Sequence, residues 1–445
     1  MTESNRADID RLVIALVEQI ARDLHGEIED PVTPDTRLIA DLGFASLDFV
    51  RLIVDIEERL QRKVGFHDLL MPNGRYVGDL AISRFTDFIL SRESPAPGAP
   101  ETPAATGTET PATPAEQALA ASRLTELTLA AFRSLMPSPE RWGVTAPSLT
   151  GPKLPRAAFL LSSPRSGSTL LRVMLAGNPA LFAPPELHLL NYTTLTQRRN
   201  ALDNPANRHL MSGTVRAMVQ LKGISIEEAE ALHASQERQG VSTLDFYRQM
   251  QSWLGDRLLV DKTPIYTFHR EILQRAEREF DQPLYIHLVR HPGGMIKSFE
   301  DAKIDQLIPF LRESSYSRRQ IAELVWLLNQ KNVDDFFRDV PAHRRLLVRY
   351  EELVNHTEKV VRDICQFLGV PYAAAMLDPY QGTEQRMADG LHTVAEFSGD
   401  LKFHLFDRIE PGAAERWRHH GQSESLSTMT TTLAERLGYK AEEAG

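Results

Sequence analysis

The stretch AAFLLSSPRSGSTLLRVMLAG, residues 157–177, decides the fold. An apolar run suited to a buried strand leads into a Pro/Ser/Gly turn, and the turn opens a helix-forming segment. Such a unit aims backbone N–H groups at one point, where they can hold an anion. Nucleotide triphosphatases write this turn as G-x-x-x-x-G-K-[ST]. Here Ser168 stands where the lysine would be. The N–H groups of Arg165 through Thr169 remain as donors, joined by the side chains of Arg165, Ser166, Ser168 and Thr169 around Gly167. Taken alone, the loop could equally be a serine-rich turn without a ligand.

A second stretch, LYIHLVRHPGGMIKSFEDAK (284–303), places Arg290 at a strand end and Ser298 eight residues later, at or inside the next helix. Both can converge on another phosphate. Two anion sites on neighbouring strand ends suit a nucleotide with a 3′-phosphate and a separate group at its 5′ end. Further apolar runs, RLLVDK (257–262) and RRLLVRYE (344–351), are separated by helix-like stretches, notably SRRQIAELVWLLNQKNVDDFFRDV (317–340). This alternation predicts an α/β fold, a P-loop-like parallel sheet flanked by helices on both faces. Residues 192–255 read as a long, mostly helical insertion between two strands.

At 445 residues, with 42% hydrophobic and 25% charged residues, the chain has room for two or three soluble domains. It contains no apolar run long enough for a membrane span, and its N-terminus lacks a secretory-signal layout. The single cysteine, Cys365, reads as a buried helical thiol. A reducing, cytoplasmic setting is expected. The formal net charge of −10 argues against nucleic-acid binding. No metal site is expected.

Residues 94–116, SPAPGAPETPAATGTETPATPAE, carry almost no large apolar side chain and read as a flexible linker. As a coil, about 23 such residues span roughly 25–30 Å. The expected division is 1–92, 93–117 as linker, and 118–445. The first segment reads as a small four-helix bundle: IDRLVIALVEQIARDL and LDFVRLIVDIEERL have helical spacing, and YVGDLAISRFTDFIL supplies a helix started near Gly78-Asp79.

Within DLGFASLDFVRLIVDIEERL, Ser46 read bare is a helix N-cap. Asp41-Leu42-Gly43 before it, Leu47 and an acidic helix after it, and YVGDL further on together resemble acyl or peptidyl carrier proteins across residues 1–92. That resemblance implies a 4′-phosphopantetheine arm on Ser46, attached by a phosphopantetheinyl transferase. The family usually has Asp immediately before this serine; this chain has Ala45, with Asp48 nearby.

SSPRSGSTLLRVML and VRHPGGMIKS, supported by VDKTPIY and LVRYEELV, resemble the nucleotide-binding motifs of sulfotransferases that use 3′-phosphoadenosine-5′-phosphosulfate, PAPS, and release PAP. The similarity covers most of residues 155–440 and implies the sulfotransferase fold. A lysine-free loop fits, because no triphosphate–magnesium unit has to be held. The resemblance implies that Glu186, in LFAPPELHLL just past the second strand, is the catalytic base. His188 is the rival and His233 a remoter third. It likewise implies that Lys262 touches the bridging oxygen and that Tyr350 lies near the nucleotide. Asp261 is read as pairing with a neighbouring cation. Arg416 and Arg418, flanking Trp417, either close over the nucleotide or are solvated beside a packed tryptophan. His404 has no assigned role.

A carrier joined to such an enzyme suggests an acyl chain on the carrier as acceptor, sulfated at its β-hydroxyl. The arrangement resembles the sulfotransferases of curacin-type and olefin-forming polyketide pathways. It implies polyketide or fatty-acid synthase components as partners and, since the chain is too short past residue 430 to include one, a separate thioesterase. The insertion 192–255 would form the acyl-binding wall or lid. Alternatives are a sulfotransferase for a free small molecule, with the carrier as docking module, and an inactive nucleotide-binding carrier scaffold.

Overall fold

The computed structural model describes residues 3–25, 31–42, 79–92, 124–136, 151–202, 208–302, 316–387, 408–415 and 426–440, scattered positions within 44–69 and 304–314, and residues 138, 403, 417 and 418. The chain divides into two compact units, Met1–Glu116 with Leu401–Phe406, and Gln117–Asp400 with Asp407–Gly445.

In the first unit, α1 (Glu3–His25) and α2 (Ile82–Ser91) accompany helical positions within residues 52–60. Val13, Val17 and Ile20 recur at helical spacing and pack with Leu52, Ile56, Phe85 and Ile89 in one core. The helix expected to begin near Asp79 begins at Ile82 instead. The Asp79 carboxylate is committed elsewhere: it accepts from the backbone N–H groups of Ile39 (2.9 Å) and Ala40 (3.1 Å) and lies 3.4 Å from Arg37 Nε. It pins the preceding loop rather than capping a helix. Ser46 and Ala45 lie outside the described residues.

The second unit opens with α3 (Glu126–Leu135), then β1 (Ala157–Leu161), α4 (Ser168–Ala176) and the two-residue β2 (Leu181–Phe182). Four helices follow, α5 (Leu195–Leu202), α6 (Ser212–Lys222), α7 (Ile226–Arg238) and α8 (Thr243–Trp253), which together occupy the expected insertion. After them come β3 (Leu258–Lys262), α9 (Arg270–Glu279), β4 (Leu284–Val289) and α10 (Pro292–Asp301). The remainder includes α11 (Arg318–Phe337), β5 (Arg345–Arg349), α12 (Tyr350–Asn355), α13 (Thr357–Leu368) and α14 (Thr428–Arg436).

The five strands pair in parallel in the order β2-β3-β1-β4-β5. Both faces of β1 are buried, as a parallel sheet covered by helices requires. The chain leaves β1 for β2 and β3 on one side, then crosses to β4 and β5 on the other. In such a sheet the crevice at the carboxyl ends of the strands flanking the reversal is where ligands bind. Register makes those ends level, with Leu160 opposite both Lys262 and Ile286. Buried almost all round, α11 sends Trp326, Asn329 and Gln330 into the core. Cys365 is buried in α13, with its thiol pushed up by burial. No helix among the described residues is long and apolar enough to cross a membrane.

Candidate active site

The loop between β1 and α4 has the shape its composition demands. Arg165 and Gly167 both adopt left-handed backbone, at φ 63° and 85°. A Cβ on Gly167 would come within 2.4 Å of the Tyr350 ring, so close approach as well as backbone angle requires glycine. Ser168 and Thr169 form the first turn of α4, where N–H groups have no intrahelical partner. Ser166 is buried, and its hydroxyl lies 2.8 Å from that of Ser163.

Sequence-distant cations converge on this loop. Arg165 Nε donates to Ser298 Oγ at 3.3 Å, and Arg290 Nη1 donates to the Arg165 carbonyl at 3.1 Å. The Arg290 guanidinium sits 4.7 Å from the centre of the Tyr350 ring. Thus Arg165, Gly167, Arg290, Ser298 and Tyr350, from three separate segments, form one cluster. Arg290 Nε and Ser162 Oγ are both buried without a hydrogen-bond partner among the described residues. Unmet donors beside a helix start fit an anionic group, and the cradle suits the phosphates of a nucleotide.

Behind the cradle, Gln330 Nε2 donates to Ser163 Oγ at 3.3 Å and its Oε1 lies 2.7 Å from His287 Nε2. His291 stacks on Trp417, with ring centres 4.4 Å apart. Trp417 therefore packs on the protein beside the second anion segment; Arg416 and His404 lie outside the described residues. Burial pushes both histidines down to about 4, helped at His291 by Arg418 and Arg290. Since the unfolded rings titrate near 6.5, the unfolded chain binds more protons between pH 6.5 and 4. Stability present above pH 6.5 should be lost as pH falls through that window, by on the order of 3 kcal/mol per histidine. Thermal midpoints measured from pH 7 to 4 should show this slope, and His287→Asn should flatten it.

At the end of β3, Lys262 is buried and its Nζ donates to Glu186 Oε1 at 2.6 Å. His188 Nε2 lies 3.2 Å from Glu186 Oε2, an ion-pair distance whose angle falls outside hydrogen-bond geometry. Burial by itself would raise the Glu186 carboxyl. The Lys262 ammonium, followed by His188, outweighs it and holds the group below the usual carboxylate range. The three expected catalytic residues are therefore brought together. His233, by contrast, engages Glu237 in α7 at 3.2 Å and stands edge-on to Phe246.

One expectation is corrected. Among the described residues Asp261 forms no ion pair; its carboxylate accepts from the hydroxyls of Tyr247, Tyr266 (3.0 Å) and Thr263 (3.0 Å). A hydroxyl-lined, fully buried site satisfies a carboxylate without importing a second desolvated charge. Sequence reading also missed the supports of the Glu186 segment. Arg172 in α4 donates to the Ala183 carbonyl (3.0 Å) and is lowered to about 10 by burial, partly offset by Glu186. Gly213 in α6 lies against the Glu186 carbonyl, where a Cβ would come within 2.1 Å. The tyrosine of VDKTPIY was in view; nothing local indicated where its hydroxyl would point.

A parallel sheet whose strand ends bring unmet donors together with a lysine–carboxylate pair suits a group-transfer enzyme. The sulfotransferase family matches residues 157–374, and the phosphopantetheine attachment site family matches residues 15–75. The sulfotransferase domain from the curacin biosynthetic pathway is 35% identical, covers 65% of this chain and 99% of its own, and superposes with a TM-score of 0.60. For the sulfotransferase domain of the Synechococcus PCC 7002 olefin synthase the values are 37%, 66%, 98% and 0.59. Nodulation protein NoeE of Sinorhizobium fredii is 26% identical over 305 residues, 64% of this chain and 67% of that protein. The chain belongs to the sulfotransferase family, and it joins a sulfotransferase domain to a phosphopantetheine attachment domain.

Proposed function

We propose that the protein transfers a sulfuryl group from PAPS to the β-hydroxyl of an acyl chain held as a thioester on 4′-phosphopantetheine at Ser46, within residues 1–92. When bound, PAPS supplies a sulfuryl group activated by a phosphate leaving group. Residues 165–169, Arg290 and Ser298 hold its phosphates, with Tyr350 closing the cradle; Glu186 accepts the proton of the attacking hydroxyl. Lys262 provides the cation for charge developing on the departing oxygen.

The observation that carries this reading is the 2.6 Å pair of Lys262 and Glu186 beside the anion cradle. In that pair the carboxylate is a weak base, because its proton affinity is suppressed by the ammonium. One ammonium cannot neutralise two anions equally at contact distance. Drawn toward a second anion, Lys262 would release Glu186, and burial would raise its proton affinity when a base is needed. His188 remains 3.2 Å from the carboxylate to orient it.

Tethering through a linker of the length of residues 93–117 places the acyl group at an effective concentration in the millimolar range, so the acceptor needs little affinity of its own. The similarity to sulfotransferase domains of the curacin pathway and of an olefin synthase supports an acyl acceptor made by synthase components. The test is intact-mass spectrometry after loading with a phosphopantetheinyl transferase and a β-hydroxyacyl donor. PAPS should add one sulfonate to the loaded chain and none to Ser46→Ala. Equal sulfonation of Ser46→Ala would overturn tethering in favour of a free acceptor. Saturable PAP binding by calorimetry without transfer to any acceptor would favour an inactive scaffold.

A further inference from the structure

The segment that carries Glu186 and His188, residues 183–190, has no regular secondary structure, and His188 holds left-handed backbone at φ 52°. Its main-chain polar groups cannot be satisfied by a ladder, so other groups must fix it. Three consecutive N–H groups are met by side chains from the strand-end motif. His188 N donates to Thr263 Oγ1 at 3.5 Å. Leu189 N and Leu190 N both donate to the Tyr266 hydroxyl, at 3.0 and 3.3 Å. Both hydroxyls in turn donate to the buried Asp261. The carbonyls are held from the insertion and α9: Arg198 Nε donates to Leu187 O and Arg275 Nη1 to Leu190 O, each at 2.8 Å.

We infer that Tyr266, oriented by Asp261, is a positioning residue: its hydroxyl is the peg that sets the Glu186–His188 segment against Lys262. Successive residues of a strand face opposite sides. Asp261 and Lys262 therefore split the task. Lys262 faces the carboxylate, while Asp261 faces the hydroxyls that hold the same segment from behind. A tyrosine hydroxyl suits this role because it accepts from two N–H groups while donating its single proton to the carboxylate. The inference rests on Glu186 being the base, and it assigns no contact with substrate to Tyr266.

Tyr266→Phe keeps the ring and removes only the peg. It should lower kcat about 10- to 100-fold, the scale of a misplaced reacting group. KM for PAPS and the Kd for PAP should stay within about twofold. Tyr247→Phe is the structural comparison. It removes another buried hydroxyl bonded to Asp261, but one that touches no N–H group of the segment. It should lower the thermal midpoint at least as far while keeping kcat within about threefold. In a Glu186→Gln background, Tyr266→Phe should cost almost nothing further. Wild-type kcat in Tyr266→Phe beside a disabled Glu186→Gln would overturn the positioning role alone. So would equal kcat losses in the two tyrosine variants at matched thermal midpoints. Near-normal turnover by Glu186→Gln would instead remove the base assignment beneath it.

Discussion

Glu186→Gln should lower kcat by about 10²- to 10⁴-fold, the range for losing a general base, while PAP binding measured by calorimetry stays within about twofold. The amide matches the carboxylate in size and can still accept from Lys262, so the packing around Pro185, Gly213 and Lys262 survives. What it cannot do is take a proton. The cradle proposed for the sulfuryl donor, residues 165–169 with Arg290 and Ser298, is separate from the contacts of Glu186, which are with Lys262 and His188. Hence binding and turnover should separate. Near-normal turnover would move the base to His188.

Lys262→Met should be costly in two ways. Removing the ammonium from a buried pair strands the Glu186 carboxylate, a loss of about 3–5 kcal/mol at neutral pH. It would also remove the cation proposed to act on the leaving oxygen, worth about 10²- to 10³-fold in kcat. The pH dependence gives the mechanism away. In the unaltered protein the Glu186 carboxyl lies below its unfolded value of 4.5, so its contribution is present above pH 4.5 and lost as pH falls through the lower, folded value. Without Lys262, burial raises the folded value, and the sign reverses: that stability is present below pH 4.5 and lost as pH rises. The gap between the two proteins in urea midpoints should therefore narrow from pH 7.5 toward pH 4.5. A gap independent of pH would show that Lys262 stabilises by packing alone.

Much of this site was legible in the chain because its parts are local. The turn 164–169 needs a residue tolerant of φ 85°, supplies it as Gly167, and follows an apolar strand. Ser317 and Gln320 form a capping box that starts α11 where the apolar spacing begins. The role of Asp261 and the helix start near Asp79 escape local reading for a common reason. An acidic residue next to a lysine or at a helix-like boundary invites a cation or a helix start, yet Asp261 serves three hydroxyls two to fourteen residues away and Asp79 the N–H groups of Ile39 and Ala40. Tyr266 and Gly213 were silent for the same reason, since each acts on the Glu186 segment through contacts across more than twenty residues.

By itself, then, the sequence determined that two domains are joined, that the larger is a parallel α/β sheet, and which side chains are available at its strand ends. Periodicity, turn chemistry and composition act over a few residues, and a linear string carries them in full. Only the tertiary structure decided that Lys262 meets Glu186, that Arg290 reaches the Arg165 carbonyl, and that one buried carboxylate steadies the loop between them. Those are choices among distant partners. They are settled by strand register and helix packing, which bring together groups that no local spacing relates.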